Sequence, residues 1–231
     1  MARETHHLRP SAEVAERVLL PGDPGRALRL AQQLLDGPRM LNHHRGLWGY
    51  TGAAADGEPL TIQSTGMGGP SAAIVVEELI ALGARRLVRV GTCGALVDGL
   101  GLGDLVVAGG ALAEDGASRA LGASGAVAPD PKLHAALRKH SDGARDALVA
   151  SADLFYDPDH DRAARWIAAG AVAVEMETAT LFTVAATHGA AAAAVLAVSD
   201  VLAAGERRRI ERDALEAAEA ELGRTAAAAL A

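Results

Sequence analysis

Apolar positions along the chain fall into two alternating patterns. Short runs read as buried strands, among them Val18-Leu19-Leu20 within Arg17 to Leu20, Leu87-Val88-Arg89-Val90, Asp104 to Ala108, Ala147 to Ala150, Ala171 to Glu175 and Ala191 to Val198. Between them, apolar residues recur at helical spacing: Leu28, Ala31 and Leu35; Ala72, Val75, Val76, Leu79 and Ile80; Leu181, Val184 and Ala185. Caps and stops punctuate these helices. Asp23-Pro24 and Asp130-Pro131 each supply an acidic N-cap followed by proline at the first helical position. Stops fall near Gly37, at Gly83 and at Gly189. A further helix is expected around Arg162 to Ala169, and a long terminal one, with charges in Glu206 to Asp213, closes the chain.

Leu47 to Ala55 and Pro59 to Thr65 read as a strand pair turned at Asp56-Gly57. Gly109 to Ala128, rich in Gly, Ala and Ser and without period, reads as a loop or irregular excursion. Strands alternating with helices predict an α/β domain of three layers, a mixed, largely parallel central sheet with helices on both faces. One domain spanning 1–231 is expected.

Composition narrows the function. Half of the 231 residues are hydrophobic, enough for a large core, but aromatics are only 3%. Few side chains are therefore left for base-stacking platforms. The net charge of −7, with His neutral, argues against a nucleic-acid or acidic-membrane binder. It leaves room for a local cationic pocket. Cys93 is the single cysteine, so no intramolecular disulfide framework exists. With a polar N-terminus and no apolar run long enough to span a bilayer, a cytoplasmic location is expected. His43, His134, His140, His160 and His188 show no metal-ligand spacing.

The chemistry concentrates at strand ends. In Arg86 to Ala95 the strand breaks at Gly91 and Gly94, where glycine permits close backbone approach to a ligand. Arg89 is costly inside such an apolar run unless it is paired. A salt-bridged arginine in a strand–turn unit is the plain structural reading; a phosphate pocket with Thr92 is the functional one. Gly22 and Arg26 stand where a helix N-terminus follows a strand, a favourable place for an anion. Ligands in such folds bind outside the carboxyl ends of strands. Those ends also carry Met67, Phe155, Tyr156, Glu175, Met176, Glu177, Ser199 and Asp200. Arginines for an anion, carboxylates for a diol, apolar groups for a flat ring and an acid for proton transfer together describe a phosphate, a sugar and a base.

The chain resembles the bacterial hexameric-type nucleoside phosphorylases, a family containing purine nucleoside and uridine phosphorylases. The resemblance rests on Pro21-Gly22-Asp23-Pro24-Gly25-Arg26, His44-Arg45-Gly46, Gly66-Met67-Gly68, Arg89-Val90-Gly91-Thr92-Cys93-Gly94-Ala95, Ser151-Ala152-Asp153-Leu154-Phe155-Tyr156, Val174-Glu175-Met176-Glu177 and Ser199-Asp200, in the family's order. It implies that Gly22, Arg26, Arg89 and Thr92 hold phosphate, joined by Arg45 of the neighbouring subunit. Glu177 and Met176 would hold the ribose, with Met67 and Glu175 beside them and His6 reaching the 5′-hydroxyl from the neighbour. Phe155, Val174 and Ser199 would contact the base, and Asp200 would be the general acid.

The implied activity is reversible phosphorolysis of purine nucleosides to free base and ribose 1-phosphate. Phosphate is co-substrate and no other cofactor is called for. The implied assembly is a homo-hexamer, a trimer of dimers sharing sites between subunits.

The family also has an arginine after Ser-Asp that assists the acid. Arg212 fits if one residue is deleted, with Arg207, Arg208 and Arg209 as rivals. Uridine phosphorylase is the first alternative, favoured by Asp115-Gly116-Ala117-Ser118. Asp157-Pro158-Asp159-His160-Asp161, however, lacks the Gln/Arg pair which that branch uses on pyrimidine carbonyls. A nucleosidase and a non-catalytic nucleoside-binding protein of the same fold are the others.

Overall fold

The computed structural model describes residues 5–202 and 207–231. The chain alternates strand and helix as the apolar pattern predicts. β1 (Arg17–Leu20) leads through Pro21-Gly22 into α1 (Pro24–Leu34), whose N-cap Asp23 accepts from the Arg26 backbone N–H. β2 (Asp36–Asn42), a short 3-10 turn (His44–Gly46), β3 (Gly49–Ala53) and β4 (Pro59–Gln63) follow. Then come α2 (Gly69–Ala81), β5 (Arg86–Ala95), β6 (Leu105–Glu114), α3 (Gly116–Ala120), β7 (Ala126–Val127), α4 (Pro131–His140) and β8 (Arg145–Ala152). The last elements are α5 (Arg162–Ala168), β9 (Ala171–Glu175), α6 (Thr178–Thr187), β10 (Ala191–Val201), β11 (Arg208–Arg209) and α7 (Arg212–Leu230).

The strands form one mixed sheet. β1 lies between β4 and β5, parallel to both. β5 is parallel to β10, β6 to β8, and β8 to β9. Because β10 also pairs with β6 and β9 with β5, both antiparallel, five strands close a circuit β5–β10–β6–β8–β9. Closure removes edges and turns the strand ends toward a common mouth. Leu87 and Val106 point into one apolar cluster with α2 and α6. Val88 and Val107 point into another with α1, α4 and α7. Alternate strand residues thus feed opposite layers, and helices cover both faces.

β5 runs unbroken through Gly91 and Gly94 to Ala95, where a turn is expected, and three further stretches differ from the sequence expectation. Gly109 to Ala128 is structured: β6 runs on to Glu114 past a register shift between Ala108 and Gly110. The capped helix α3 and strand β7 follow. The two glycines suggest a break, but here they are a bulge in a continuing strand. Asp115-Gly116-Ala117-Ser118 starts α3, where Asp115 accepts from the Ser118 N–H and the Thr180 hydroxyl. Second, Asp36–Asn42 is an edge strand, with Asp36 to Met40 exposed. Third, the terminal helix begins only at Arg212. Arg208 and Arg209 pair with Val201 and Asp200 as a strand, and Glu206 lies outside the described residues.

Candidate active site

The strand ends open on a cavity of about 840 Å3. Gly22, Arg26, Met67, Arg89, Thr92, Phe155, Val174, Glu175, Met176, Glu177, Ser199 and Asp200 all line it. These residues come from six separate stretches of sequence. The parallel register of β1, β5 and β10 brings three of those stretches to the same end of the sheet.

Arg89 is the hub. It is buried, and its cost is met by two carboxylates: Nε donates to Glu175 Oε2 at 2.9 Å, and Nη2 lies 2.5 Å from Glu177 Oε2. Burial opposes its charge, but Glu177 and Glu175 more than offset this and raise its pKa. Nη1 is buried with no hydrogen-bond partner among the described residues. Gly91 gives the head its space, since a Cβ there would stand 2.7 Å from the Arg89 Cζ.

Glu175 and Glu177 divide their work. The oxygens of Glu175 accept from Arg89, Ser151 Oγ and the backbone N–H groups of Glu177 and Thr178. Glu175 is thereby a structural anchor with its acceptor capacity taken by the protein. Glu177 Oε1 accepts from the Gly68 N–H at the start of α2. Burial pushes the Glu177 carboxyl up, against the pull of Arg89 and with the help of the Glu175 charge. Cys93, enclosed behind them, has its thiol pushed up by burial, so it is inert as a nucleophile.

Arg26 lines the cavity, yet part of its guanidinium is committed. Nε lies 2.8 Å from Glu219 Oε1, an ionic contact off the N–H axis, and Nη1 donates to Val90 O at 3.2 Å. Glu219, on α7, also holds Arg29. Sequence reasoning misses Glu219, because a glutamate in a charged terminal helix carries no local signal.

Asp200 sits just past a register shift between Val198 and Asp200, a bulge of the kind that re-aims side chains beside sites. Ser199 Oγ donates to Asp200 Oδ2 at 2.8 Å. Arg207 Nε donates to Asp200 Oδ1 at 2.9 Å, and the Arg207 Cζ lies 4.5 Å from the centroid of the Phe155 ring. Arg212 is not brought to the cavity: its exposed side chain pairs with Glu216 one turn along α7. The β11 pairing turns the chain back toward Asp200 and carries Arg207 and Arg209, both cavity-lining, to that side.

His6 and Arg45 do not line this cavity. Both are exposed, and they belong to one patch. His44, beside Arg45, meets the His7 carbonyl through Nδ1 at 2.9 Å. Glu78, at the end of α2, accepts from the His6, His7 and Leu8 N–H groups and meets His7 Nδ1. Arg45 itself has φ +59, unusual for a residue with a side chain. Among the described residues, no three His, Cys, Asp or Glu side chains group as metal ligands would, and no helix is long and apolar enough to cross a membrane.

A family profile described as "Phosphorylase superfamily" matches residues 16–231. A protein of Geobacillus kaustophilus named "Purine nucleoside phosphorylase DeoD-type" is 39% identical over 208 residues, covering 87% of each chain. A "Guanosine phosphorylase" of Halorubrum lacusprofundi is 37% identical over 218 residues, covering 92% of this chain and 90% of that protein. Among solved structures, a uridine phosphorylase of Vibrio fischeri superposes with a TM-score of 0.85. It is 31% identical, covering 94% of this chain and 91% of the other.

Proposed function

The chain belongs to the phosphorylase superfamily, and from that premise we infer that it is a purine nucleoside phosphorylase needing phosphate as co-substrate and no other cofactor. The observation that carries this is Arg89. Its buried Nη1 has no acceptor among the described residues, on the wall of a cavity that Asp200 also lines. An oxyanion satisfies such a donor with a strong charge-assisted bond.

Phosphate lies against Gly22, Arg26, Arg89 and Thr92. Ribose lies against Glu177, Met176 and Met67, with Glu175 fixing Arg89 and the start of α6 behind them. The base lies among Phe155, Val174 and Ser199. A phosphate oxygen attacks C1′ while the glycosidic C–N bond breaks. Positive charge builds on the sugar ring, as in glycoside cleavage, and the phosphate dianion below it is both counter-charge and nucleophile. Asp200 gives its proton to the imidazole nitrogen of the departing base. The products are free base and ribose 1-phosphate. Arg207 takes the assisting position beside the acid, in place of Arg212.

His6 and Arg45 serve the neighbouring subunit's site, in a cytoplasmic hexamer built from dimers, with 1–231 as one domain. This is supported by their clustering on an exposed patch away from the chain's own cavity. A C2 dimer, self-complementary by symmetry, completes two sites at once. Release of hypoxanthine from inosine with and without phosphate tests the activity, and equal rates would make the protein a hydrolase. The likeness to uridine phosphorylase structures supports a second reading, in which uridine outpaces inosine in the same assay.

A further inference from the structure

The base end of the cavity has a wall that this mechanism does not use. It is α5, whose Arg162, Ala163 and Trp166 all line the cavity. Arg162 and Trp166 are four residues apart, one above the other on the same helix face.

Both are donor-only side chains. The Trp166 indole Nε1 is buried and has no acceptor among the described residues, although the residue is only 7% exposed. Buried donors of this kind are ordinarily paired. Arg162 approaches Asp157 Oδ2 and Asp159 Oδ2 most closely through Nε, at 3.0 and 3.6 Å, and its terminal nitrogens make no hydrogen bond to the described residues.

Of the neighbouring acceptors, those of Asp159 are taken by hydrogen bonds, and Asp157 Oδ2 is held by charge alone. Asp157 Oδ1 accepts from the Asp159 N–H; its buried Oδ2 makes no hydrogen bond to the described residues but lies in ionic contact with Arg162 Nε at 3.0 Å. Asp159 Oδ1 accepts from the Asp161 N–H and its Oδ2 takes Arg165. His160 is exposed and, as an imidazole, can donate or accept, so it discriminates nothing.

We propose that α5 reads the base and that Arg162 and Trp166 select nucleosides whose purine carries a carbonyl at position 6 over those carrying an amino group there. The inference rests on the purine nucleoside phosphorylase reading and deepens it to a substrate class. A 6-oxopurine turns an acceptor oxygen toward two spare donors. A 6-aminopurine turns N–H groups toward them and leaves them unpaired, which is the costly arrangement. Sites built around buried polar groups reject analogues that leave those groups unpaired.

The test compares hypoxanthine and adenine binding by calorimetry, and kcat/KM for inosine, adenosine and uridine at saturating phosphate. The parent protein is measured beside Trp166→Phe, which keeps the ring and removes the donor, and Arg162→Met. The parent should favour hypoxanthine over adenine, and inosine over adenosine, by about tenfold or more. Each variant should lose several-fold on the 6-oxo ligand with little change on the 6-amino one.

Equal parent preference, or equal losses on both ligands in both variants, overturns the inference, as does uridine outpacing inosine. Binding and turnover separate the two readings. Hypoxanthine preference without phosphorolysis would sink the enzymatic reading and keep this one. Phosphorolysis with indifferent binding would do the reverse.

Discussion

Arg207 holds Asp200 Oδ1 through Nε at 2.9 Å while its guanidinium lies over the Phe155 ring. One side chain thus touches both the proposed acid and a wall of the proposed base pocket. An arginine here orients the carboxyl and compensates its negative charge as the proton leaves. Arg207→Ala should lower kcat/KM on inosine by about 10–100-fold, a share of what general acid help is worth. Arg212→Ala should change it less than about threefold, as for an exposed surface pair. Steady-state kinetics on the two variants decides, and the reverse ranking would return the assisting role to Arg212.

Asp200→Asn keeps the shape and one acceptor oxygen for Arg207, puts an N–H donor in place of the other, and has no acidic proton. Cleavage of inosine should fall by about 10²–10⁴-fold. The base of 7-methylguanosine already carries the positive charge that protonation creates, so its cleavage should fall far less. The ratio of the two losses is the measurement. Equal losses would show that Asp200 orients the base and does not protonate it.

The buried triad of Arg89, Glu175 and Glu177 predicts a double penalty. Arg89→Ala should abolish most phosphate-dependent turnover and leave two buried carboxylates without their counter-charge, destabilising the fold by about 3–5 kcal/mol. Gly91→Ala is the gentler probe. Its Cβ would crowd the Arg89 head, so phosphate KM should rise while the melting temperature moves little. Thermal unfolding beside phosphate titration separates the two effects.

Much of this was legible in the sequence, for identifiable reasons. Val18-Leu19-Leu20 and Leu87-Val88 are apolar enough to announce strands, and Asp23-Pro24 announces its helix. Arg89 was legible as a charge inside such an apolar run, and Glu177 and Asp200 because each stands just past one. The edge strand Asp36–Asn42 was not, because Gly37 and Pro38 look like a turn and its exposed residues have no apolar period. β11 was hidden by charge, since Arg208-Arg209 reads as the start of a helix until its pairing with Val201 and Asp200 is seen. Glu219, Glu78 and Trp166 carry no local signal. Each matters only through a partner far away in sequence or through a cavity that tertiary packing creates.

If His6 and Arg45 serve the neighbour, mixing inactive Arg45→Ala with inactive Asp200→Ala chains should restore activity. Each mixed dimer then contains one intact site. Recovery approaching a quarter of the parent rate is expected from random exchange of two-site dimers. Sedimentation or mass measurement confirms that exchange occurred, and no recovery after it would mean that each chain completes its own site.

Glu78 makes the N-terminal segment sensitive to acid. Burial pushes its carboxyl up, but the Leu8, His7 and His6 N–H donors and the His7 ring outweigh this and hold it below the ordinary glutamate value of 4.5. A lowered folded value means that its stabilisation is present above the ordinary value and lost as pH falls through the lowered one. Hydrogen exchange of Thr5 to Leu8 should therefore accelerate selectively under acid. In Glu78→Gln it should be fast already at neutral pH, with little further response to acid.

The grip of Glu219 on Arg26 and Arg29 also bears on how the protein is made. Arg29 and Glu219 are 190 residues apart, an interval that takes about 10–40 s to synthesise. Throughout that time the nascent chain carries the arginine of its anion cradle without the counter-charge that buries it. The cradle is complete only when the last helix docks, and a chain shortened before Glu219 lacks both that counter-charge and the Leu222, Ala226 and Leu230 side chains that α7 adds to the core on that face.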